Sequence, residues 1–377
     1  MGVKEWRVRN PSGERRVVVT KELPGERWLE ILASARCRVE VCASEEILDR
    51  GEIIEVVGSK CDGAIGQLTE SWDRSVFDAL AAAGCRVYSN YAVGFNNVDV
   101  TAATARGIMV GNTPGVLTGA TAELAAALTL AAARRVVESD SFMRRGGFRG
   151  WLPALFLGDL LAGKTLGVIG AGRIGSAYAR IMVEGFRMNL LYHDIRRSET
   201  LERRIAAYCD FLRTAGEMAP VCRFAADADE VLKEADVVSL HPVLDPATVH
   251  MIDARRLRLM KENAVLINAS RGPLIDERAL VEHLRRHEGF RAGLDVYERE
   301  PETAQGLSEL ANVVMVPHIG SATTWTRRGM AVLAALNVAG VLEGYPLWRG
   351  HEDVQPFLGD DPPKAVPSIV NAEELGI

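Results

Sequence analysis

Cysteine, excess positive charge and long apolar runs are all scarce in this 377-residue sequence. Its six cysteines are scattered without a C-x-x-C pair, which argues against a metal site and indicates reduced thiols. A net charge of −6 argues against broad non-specific nucleic-acid binding, which depends on a basic surface. No run reaches the roughly 18 apolar residues of a membrane span, and the first residues lack the apolar core of a signal peptide. We therefore expect an intracellular protein, cytoplasmic by default with a peroxisome or mitochondrion as alternatives, and neither a membrane nor a nucleic-acid partner.

Short apolar runs alternate with helical patterns along most of the chain. In the first third, the runs predicted as strands are residues 15–20, 38–43, 62–67, 86–90 and 107–112. A second series begins at Lys164 and contains six further runs, the number expected for a complete dinucleotide-binding sheet. Strands that alternate with helices indicate βαβ units and parallel sheets. The sequence therefore predicts an α/β protein with two parallel-sheet domains.

Two long Ala- and Leu-rich segments, 118–146 and 323–344, each predict one long helix. An aromatic-rich stretch, 148–163, separates the first of them from the second series of strands and includes Trp151. Two interpretations of this stretch stay open: core packing, or a subunit contact, because aromatic residues are enriched in interface cores.

A G-x-G-x-x-G pattern, formed by Gly170, Gly172 and Gly175, follows the predicted strand 165–169 and opens a helical pattern. In this context the glycines allow a tight turn, close approach of a pyrophosphate to the backbone and close helix–strand packing. Asp194 lies 19 residues further on, at the end of the next predicted strand, where a carboxylate binds the adenosine ribose and repels a 2′-phosphate. The pattern predicts NAD(H). The following Arg196 and Arg197 keep NADP(H) open as a weaker alternative.

Three polar residues far apart in the sequence stand at predicted strand ends of the second series: Arg271, Glu300 and His318. Taken singly, each has a purely structural interpretation: Arg271 as an ion-pair partner, Glu300 as an acid at a helix start, and His318 as a structural histidine. Together, beside a nicotinamide site, they suit a 2-oxo acid. Arginine can hold the carboxylate and polarise the carbonyl, while histidine can donate a proton near neutral pH. A glutamate bonded to that imidazole would favour its protonated form.

The segments "GVIGAGRIG", "NASRGPLID", "GLDVYEREP" and "VPHIGSAT" resemble the signatures of the D-isomer-specific 2-hydroxyacid dehydrogenase family. Within that family the resemblance is closest to the plant-type, NADH-dependent hydroxypyruvate reductases, and it extends over almost the whole chain. It implies reduction of hydroxypyruvate to D-glycerate, and of glyoxylate as a second substrate. It also implies a Rossmann NAD-binding domain, residues 118–322, inserted into a discontinuous flavodoxin-like substrate domain, residues 1–117 and 323–377.

The same resemblance implies roles for particular residues. Arg271, Glu300 and His318 would be catalytic, and the backbone of Val93 and Gly94, with Arg271, would bind the substrate. Trp151 would reach the active site of a second subunit in a homodimer. Asp295 would contact the nicotinamide amide, and His241 and Pro242 would lie near the adenosine half. The expected cofactor-binding residues are Thr121, Gly170, Gly172, Arg173, Ile174, Gly175, Asp194, Ile195, Arg196, His241, Pro242, Asp295, His318 and Gly320.

Two alternatives remain on the same scaffold. One is another D-2-hydroxyacid dehydrogenase, such as phosphoglycerate dehydrogenase, although only 55 residues follow position 322. The other is a corepressor-like protein that binds NAD as a sensor, since such proteins can keep the catalytic residues.

Overall fold

The computed structural model describes residues 5–349 and 353–377, and its chain divides into two units. The first contains the described residues up to Leu117 together with those from Ser321 onward. The second runs from Thr118 to Gly320. Strands and helices are numbered below along the chain.

The first unit is built on a six-stranded sheet with the order β1-β3-β2-β4-β5-β6. Its strands are β1 (Trp6–Arg9), β2 (Arg15–Val19), β3 (Cys37–Cys42), β4 (Gly63–Gly66), β5 (Val87–Asn90) and β6 (Met109–Gly111). The five predicted strands are confirmed, and from β2 to β6 they follow the flavodoxin-like order. The sequence did not reveal β1, which pairs antiparallel with β3. Three of its four residues are exposed, and the alternation of Trp6, Arg7, Val8 and Arg9 is only four residues long, so β1 contains no apolar run like those of the other strands.

The described residues of this unit form seven α-helices. They are α1 (Arg27–Ser34), α2 (Arg50–Val57), α3 (Arg74–Ala82), α4 (Val100–Thr104), α12 (Thr324–Glu343), α13 (Gln355–Leu358) and α14 (Ala372–Leu375). The long helix predicted over 323–344 is confirmed as α12. The Thr323 hydroxyl accepts a hydrogen bond from the Thr326 N–H at 3.1 Å and caps its start. Gly344, with φ of 78°, ends it.

The second unit is built on a parallel sheet with the order β13-β12-β11-β10-β7-β8-β9, a Rossmann order with one added strand. Its strands are β7 (Thr165–Ile169), β8 (Asn189–His193), β9 (Cys222–Phe224), β10 (Val237–Leu240), β11 (Val265–Asn268), β12 (Arg291–Leu294) and β13 (Val313–Met315). The prediction of six strands was wrong because it missed β9. That strand has three residues, none fully buried, and lies at the sheet edge, so it shows no apolar run.

The helices of the second unit are α5 (Thr118–Ala133), α6 (Val136–Arg144), α7 (Arg173–Phe186), α8 (Glu199–Thr214), α9 (Ala228–Glu234), α10 (Ala254–Leu257) and α11 (Glu277–Arg286). The prediction of one helix over 118–146 was wrong, because the chain breaks between α5 and α6. Arg135 adopts a left-handed conformation with φ of 55°. The Ala133 carbonyl accepts the Asp159 N–H at 2.9 Å instead of continuing the helical ladder.

Apolar side chains cover both faces of the second sheet. One cluster includes residues of α5, α7 and α8, and the other includes residues of α9 and α11. This double covering leaves the carboxyl ends of the strands as the edge where polar side chains emerge. In the described part of the chain, no helix combines the length and apolar character needed to traverse a bilayer.

Candidate active site

The glycine loop joins β7 to α7, and two of its glycines are required by close contacts. Gly170 has φ of 91°, and a Cβ there would lie 2.6 Å from the His241 carbonyl carbon. A Cβ on Gly175 would lie 2.0 Å from the Gly170 oxygen. By contrast, a Cβ on Gly172 would meet no atom within 4 Å. Packing against protein atoms therefore requires glycine at positions 170 and 175. At Gly172 the space beside the backbone is open, so a ligand could approach the backbone there.

The residues of this loop fit a dinucleotide. Gly172 is the N-cap of the 14-residue helix α7 and no side chain caps that end, so its first N–H groups suit a pyrophosphate. Arg173 is exposed and Ile174 half-buried at the same end. Asp194 follows β8, and its Oδ2 accepts the Ala171 N–H at 2.6 Å. This bond holds the predicted ribose-binding carboxylate beside the glycine loop.

The three residues after Asp194 are exposed. The Arg197 guanidinium donates to the Glu202 carboxylate at 3.1 Å, so its charge already has a partner. Ile195 is 93% exposed, and Arg196 is also exposed.

His241 follows β10 and lies beside the glycine loop. Its Nε2 is 2.8 Å from the Ser239 hydroxyl, and its ring lies 5.3 Å from that of Tyr178. Burial lowers the pKa of His241 to about 3, so the ring is neutral near pH 7. His241 and Pro242 therefore form part of the wall behind Gly170.

Arg271 emerges after β11, and Asn268 shapes the turn that carries it. The Asn268 amide donates to the Arg271 carbonyl at 2.9 Å, and its oxygen accepts the Ser270 N–H at 3.1 Å. Burial lowers the pKa of the Arg271 guanidinium below its ordinary value, and the charge of Glu300 opposes this effect. A guanidinium that has lost much of its water favours an anionic partner.

Glu300 and His318 form a hydrogen-bonded pair. The Glu300 Oε2 lies 2.8 Å from the His318 Nδ1, and the two side chains are only 23% and 27% exposed. Burial tends to raise the pKa of Glu300, but the hydrogen bond and charge of His318, aided by the Tyr297 N–H and Arg271, lower it overall. Glu300 is therefore an anion at neutral pH, and its carboxylate accepts the hydrogen bond from the His318 ring.

Asp295 organises the backbone after His318. Its two carboxylate oxygens accept the Ile319 N–H at 2.6 Å and the Gly320 N–H at 2.8 Å. Burial raises the pKa of Asp295, and those N–H groups oppose the rise. His318 itself adopts a left-handed conformation with φ of 54°, which is uncommon for a residue with a side chain. The buried Thr121 hydroxyl donates to the Gly320 carbonyl at 3.2 Å.

Within the first unit, the loop after β5 contains Val93 and Gly94, which are both half-buried. None of the described residues accepts a hydrogen bond from the N–H of Val93 or of Gly94. Two neighbouring backbone donors of this kind suit an anionic group. Trp151, in the second unit, is 82% exposed, so the core-packing interpretation of this residue was wrong.

Sequence reasoning missed the residues that hold these groups in place. Asn268 shapes the Arg271 turn, and the Tyr297 N–H donates to the Glu300 Oε1 at 3.0 Å. Asn268 lies in the segment "NASRG" with Arg271, and Tyr297 lies in "LDVYEREP" with Glu300. The sequence therefore showed that each is near a predicted catalytic residue. Their hydrogen bonds depend on backbone geometry that no periodicity reveals.

Comparison with known proteins identifies the class. Residues 126–320 match the NAD-binding domain of D-isomer specific 2-hydroxyacid dehydrogenases, and the chain belongs to this family. It is 58% identical over 370 residues to a glycerate dehydrogenase of Cucumis sativus, with 97% of each chain covered. It is 41% identical to a glyoxylate reductase of Thermococcus litoralis, with 87% of this chain and 94% of the relative covered. Among solved structures, the TT0316 protein of Thermus thermophilus is similar, with a TM-score of 0.78, 39% identity and coverage of 94% of this chain and 99% of that chain.

Proposed function

We propose that this protein reduces hydroxypyruvate to D-glycerate with NADH, and glyoxylate to glycolate as a second reaction. The observation that carries the proposal is the pair formed by Glu300 and His318, 2.8 Å apart at strand ends of the NAD-binding unit. The similarity to a glycerate dehydrogenase and to a glyoxylate reductase supports this choice of substrates. Both substrates are small 2-oxo acids, and glyoxylate lacks only the hydroxymethyl group.

The substrate carboxylate binds to the backbone N–H groups of Val93 and Gly94 and to the guanidinium of Arg271. The lack of protein acceptors for the two N–H groups among the described residues and the burial of the guanidinium support these roles. Arg271 also polarises the carbonyl oxygen at C2, because its planar fork presents several donors. In this assignment the first unit is the substrate domain.

His318 is the proton donor. Its Nδ1 is bonded to Glu300, which leaves Nε2 as the nitrogen that faces the substrate oxygen. Bound NADH supplies the hydride that C2 receives. Nε2 delivers its proton to the oxygen as the alkoxide forms, and Glu300 stabilises the imidazolium before transfer.

NADH is the preferred cofactor because Asp194, fixed by the Ala171 N–H, repels a 2′-phosphate. Thr121, Arg173, Ile174, Ile195, Pro242, Asp295 and Gly320 complete the cofactor site as the resemblance implies. Both oxygens of Asp295 accept backbone N–H groups of Ile319 and Gly320. Asp295 therefore acts on the nicotinamide partly by fixing the backbone of these two residues.

The protein forms a homodimer through α6 and the 148–163 stretch. No residue of α6 is buried, and the neighbouring Trp151 and Leu160 are 82% and 75% exposed. Such a patch on a folded chain indicates a protein contact, and a two-fold dimer is the commonest assembly. Light scattering should give twice the chain mass of 41.0 kDa, and Leu160→Glu should shift the protein toward the monomer. A wild-type mass of one chain would contradict this proposal.

An intracellular location is also proposed, because all six cysteines are free thiols and five are buried, as expected of a reducing compartment. Fluorescence microscopy of a tagged chain would test it, and secretion of the tagged chain would contradict it.

One assay tests the central proposal: initial rates with hydroxypyruvate, glyoxylate, pyruvate and 3-phosphohydroxypyruvate, each with NADH and NADPH. We expect the highest kcat/KM with hydroxypyruvate and NADH. A preference for the phosphorylated acid would favour a phosphoglycerate dehydrogenase. Tight NADH binding with negligible turnover of every acid would favour a sensor role.

A further inference from the structure

We infer that Asn112 is a positioning residue for the Val93–Gly94 loop, and that Ser368 in the C-terminal tail fixes the orientation of the Asn112 amide. This inference rests on the proposed role of that loop in binding the substrate carboxylate. All of the residues involved belong to the first unit.

The loop is held by its carbonyl groups. The Thr113 N–H donates to the Ala92 carbonyl at 2.9 Å, and the Asn112 Nδ2 donates to the Val93 carbonyl at 2.8 Å. In a trans peptide the carbonyl and the following N–H point in opposite directions. Holding the Ala92 and Val93 carbonyls toward protein donors therefore directs the Val93 and Gly94 N–H groups away from them.

A third carbonyl of the loop is held in the same way. The Asn90 Nδ2 donates to the Gly94 carbonyl at 2.9 Å, and the Asn90 side chain is buried. Asn90 is itself fixed, because its Oδ1 accepts the Tyr88 hydroxyl at 2.7 Å. Three consecutive peptide groups, from Ala92 to Gly94, thus have their carbonyl oxygens paired inside the unit.

Ser368 determines which way the Asn112 amide faces. The Ser368 hydroxyl donates to the Asn112 Oδ1 at 2.6 Å, which leaves the Asn112 NH2 group to face Val93. Asn337 secures both partners: its Nδ2 donates to the Asn112 carbonyl, and its Oδ1 accepts the Ser368 N–H, each at 2.9 Å. Asn112 and Asn337 are both buried, so water does not readily replace a lost partner.

Loss of the Ser368 hydroxyl would leave the Asn112 Oδ1 without a donor and free the amide to reorient. The Val93 carbonyl would then lose its fixed donor, and the Gly94 N–H its fixed direction. The Val93 carbonyl and the Gly94 N–H belong to the proposed substrate unit. We therefore expect a lower affinity for the substrate and an unchanged affinity for the cofactor. The loss of one neutral hydrogen bond corresponds to an increase in KM of about 3- to 10-fold.

The experiment compares four variants of the full chain. Ser368→Ala removes the hydroxyl, and Ser368→Thr keeps one. Asn112→Asp places a carboxylate oxygen against the Val93 carbonyl, where two acceptors repel. Asn371→Ala is the matched control. Asn371 bonds the same tail to the Val110 N–H of β6 and to the carbonyl of Ile108 just before it, and it does not contact the loop. For each we would measure KM and kcat for hydroxypyruvate, the NADH Kd by fluorescence, and the unfolding temperature.

We expect KM to rise about 3- to 10-fold in Ser368→Ala and further in Asn112→Asp, with kcat less affected and the NADH Kd unchanged. Ser368→Thr and Asn371→Ala should keep a KM near that of the wild type. An unchanged KM in Ser368→Ala would overturn the inference, as would an equal rise in Asn371→Ala, which would show that tail docking alone matters. A wild type that reduces none of the 2-oxo acids would refute the proposed function and this inference together, whereas an active wild type with unaffected variants would refute only the inference.

Discussion

Alanine substitutions at Gly175 and Gly172 should separate folding from cofactor binding in the glycine loop. In Gly175→Ala, the new Cβ would lie 2.0 Å from the Gly170 oxygen. This distance is about 1.4 Å shorter than 3.4 Å, where ordinary van der Waals contact begins. The opposing atom belongs to the backbone, so no side-chain rotation relieves the clash. Helix α7 or the turn before it must move instead.

The two opposing effects of Gly175→Ala have known sizes. Alanine within a helix is favoured over glycine by about 0.5–1 kcal/mol. Forcing an extra carbon into a packed site costs about 1–3 kcal/mol, and occasionally more. Because the clash is with backbone, its cost lies at the upper end of that range, and the free energy of unfolding should fall by about 2 kcal/mol after the helical gain is subtracted.

Gly172→Ala provides the matched control. Its Cβ would meet no protein atom within 4 Å, and its φ of −69° is open to alanine. Only the loss of a favourable N-cap residue remains, about 0.5–1 kcal/mol. If a pyrophosphate approaches Gly172, however, the methyl group should weaken NADH binding at least about tenfold, equivalent to about 1.4 kcal/mol.

Denaturant unfolding and NADH fluorescence titration measure the two effects on the same protein samples. We expect Gly175→Ala to unfold at lower denaturant concentration, and Gly172→Ala to fold almost normally but bind NADH weakly. Wild-type stability of Gly175→Ala would show that the loop accommodates the carbon and that packing does not require the glycine. Wild-type NADH affinity of Gly172→Ala would refute the placement of the pyrophosphate.

Three further predictions follow from the geometry. Asp194→Ala should narrow the preference for NADH over NADPH, measured as the ratio of kcat/KM values, because it removes the charge that repels a 2′-phosphate; a wild type that prefers NADPH would contradict this. Glu300→Gln should move the alkaline limb of the pH–rate profile for reduction to lower pH, since a neutral amide stabilises the imidazolium of His318 less than the carboxylate 2.8 Å away does. An unmoved limb in a folded variant would remove Glu300 from the mechanism. The pKa of His283 is lowered from 6.5 to about 4 by burial and by the neighbouring His287, Arg258 and Arg286. As the pH falls, the unfolded chain therefore takes up this proton before the folded chain does, and the protein loses stability between about pH 6.5 and pH 4. Thermal unfolding of His283→Leu should therefore depend less steeply on pH in that window, and an unchanged slope would show that other groups dominate.

The sequence by itself determined the class of fold and the location of the chemistry. Buried parallel strands appear in the sequence as short apolar runs, so local composition was enough to predict them. The glycine loop could be placed because it directly follows one of these runs. Arg271 and His318 could be placed at strand ends because polar residues directly follow those runs. In a parallel sheet the carboxyl ends share one edge, so sequence position alone brings these residues to the same side.

Local patterns failed where the chain is shaped by contacts between distant residues. The break after Ala133 depends on Asp159, which takes the carbonyl that would have continued the helix. The edge strands β1 and β9 each pair with a neighbouring strand on one side only, and they contain no apolar run that would mark them in the sequence. At the break after Ala133, the hydrogen bond from Asp159 outweighs the local helical propensity, whereas in β1 and β9 the pairing with a neighbouring strand decides the conformation.

Only the tertiary structure decided how the site is held together. Glu300 and His318 meet across 18 residues, and Ser368 reaches Asn112 across 256. Hydrogen bonds require distances within a few tenths of an ångström and a defined direction, and neither quantity is encoded by periodicity or composition. The sequence therefore specifies which groups come to the strand ends, and the packed backbone determines which atoms of those groups pair and which remain to bind a ligand.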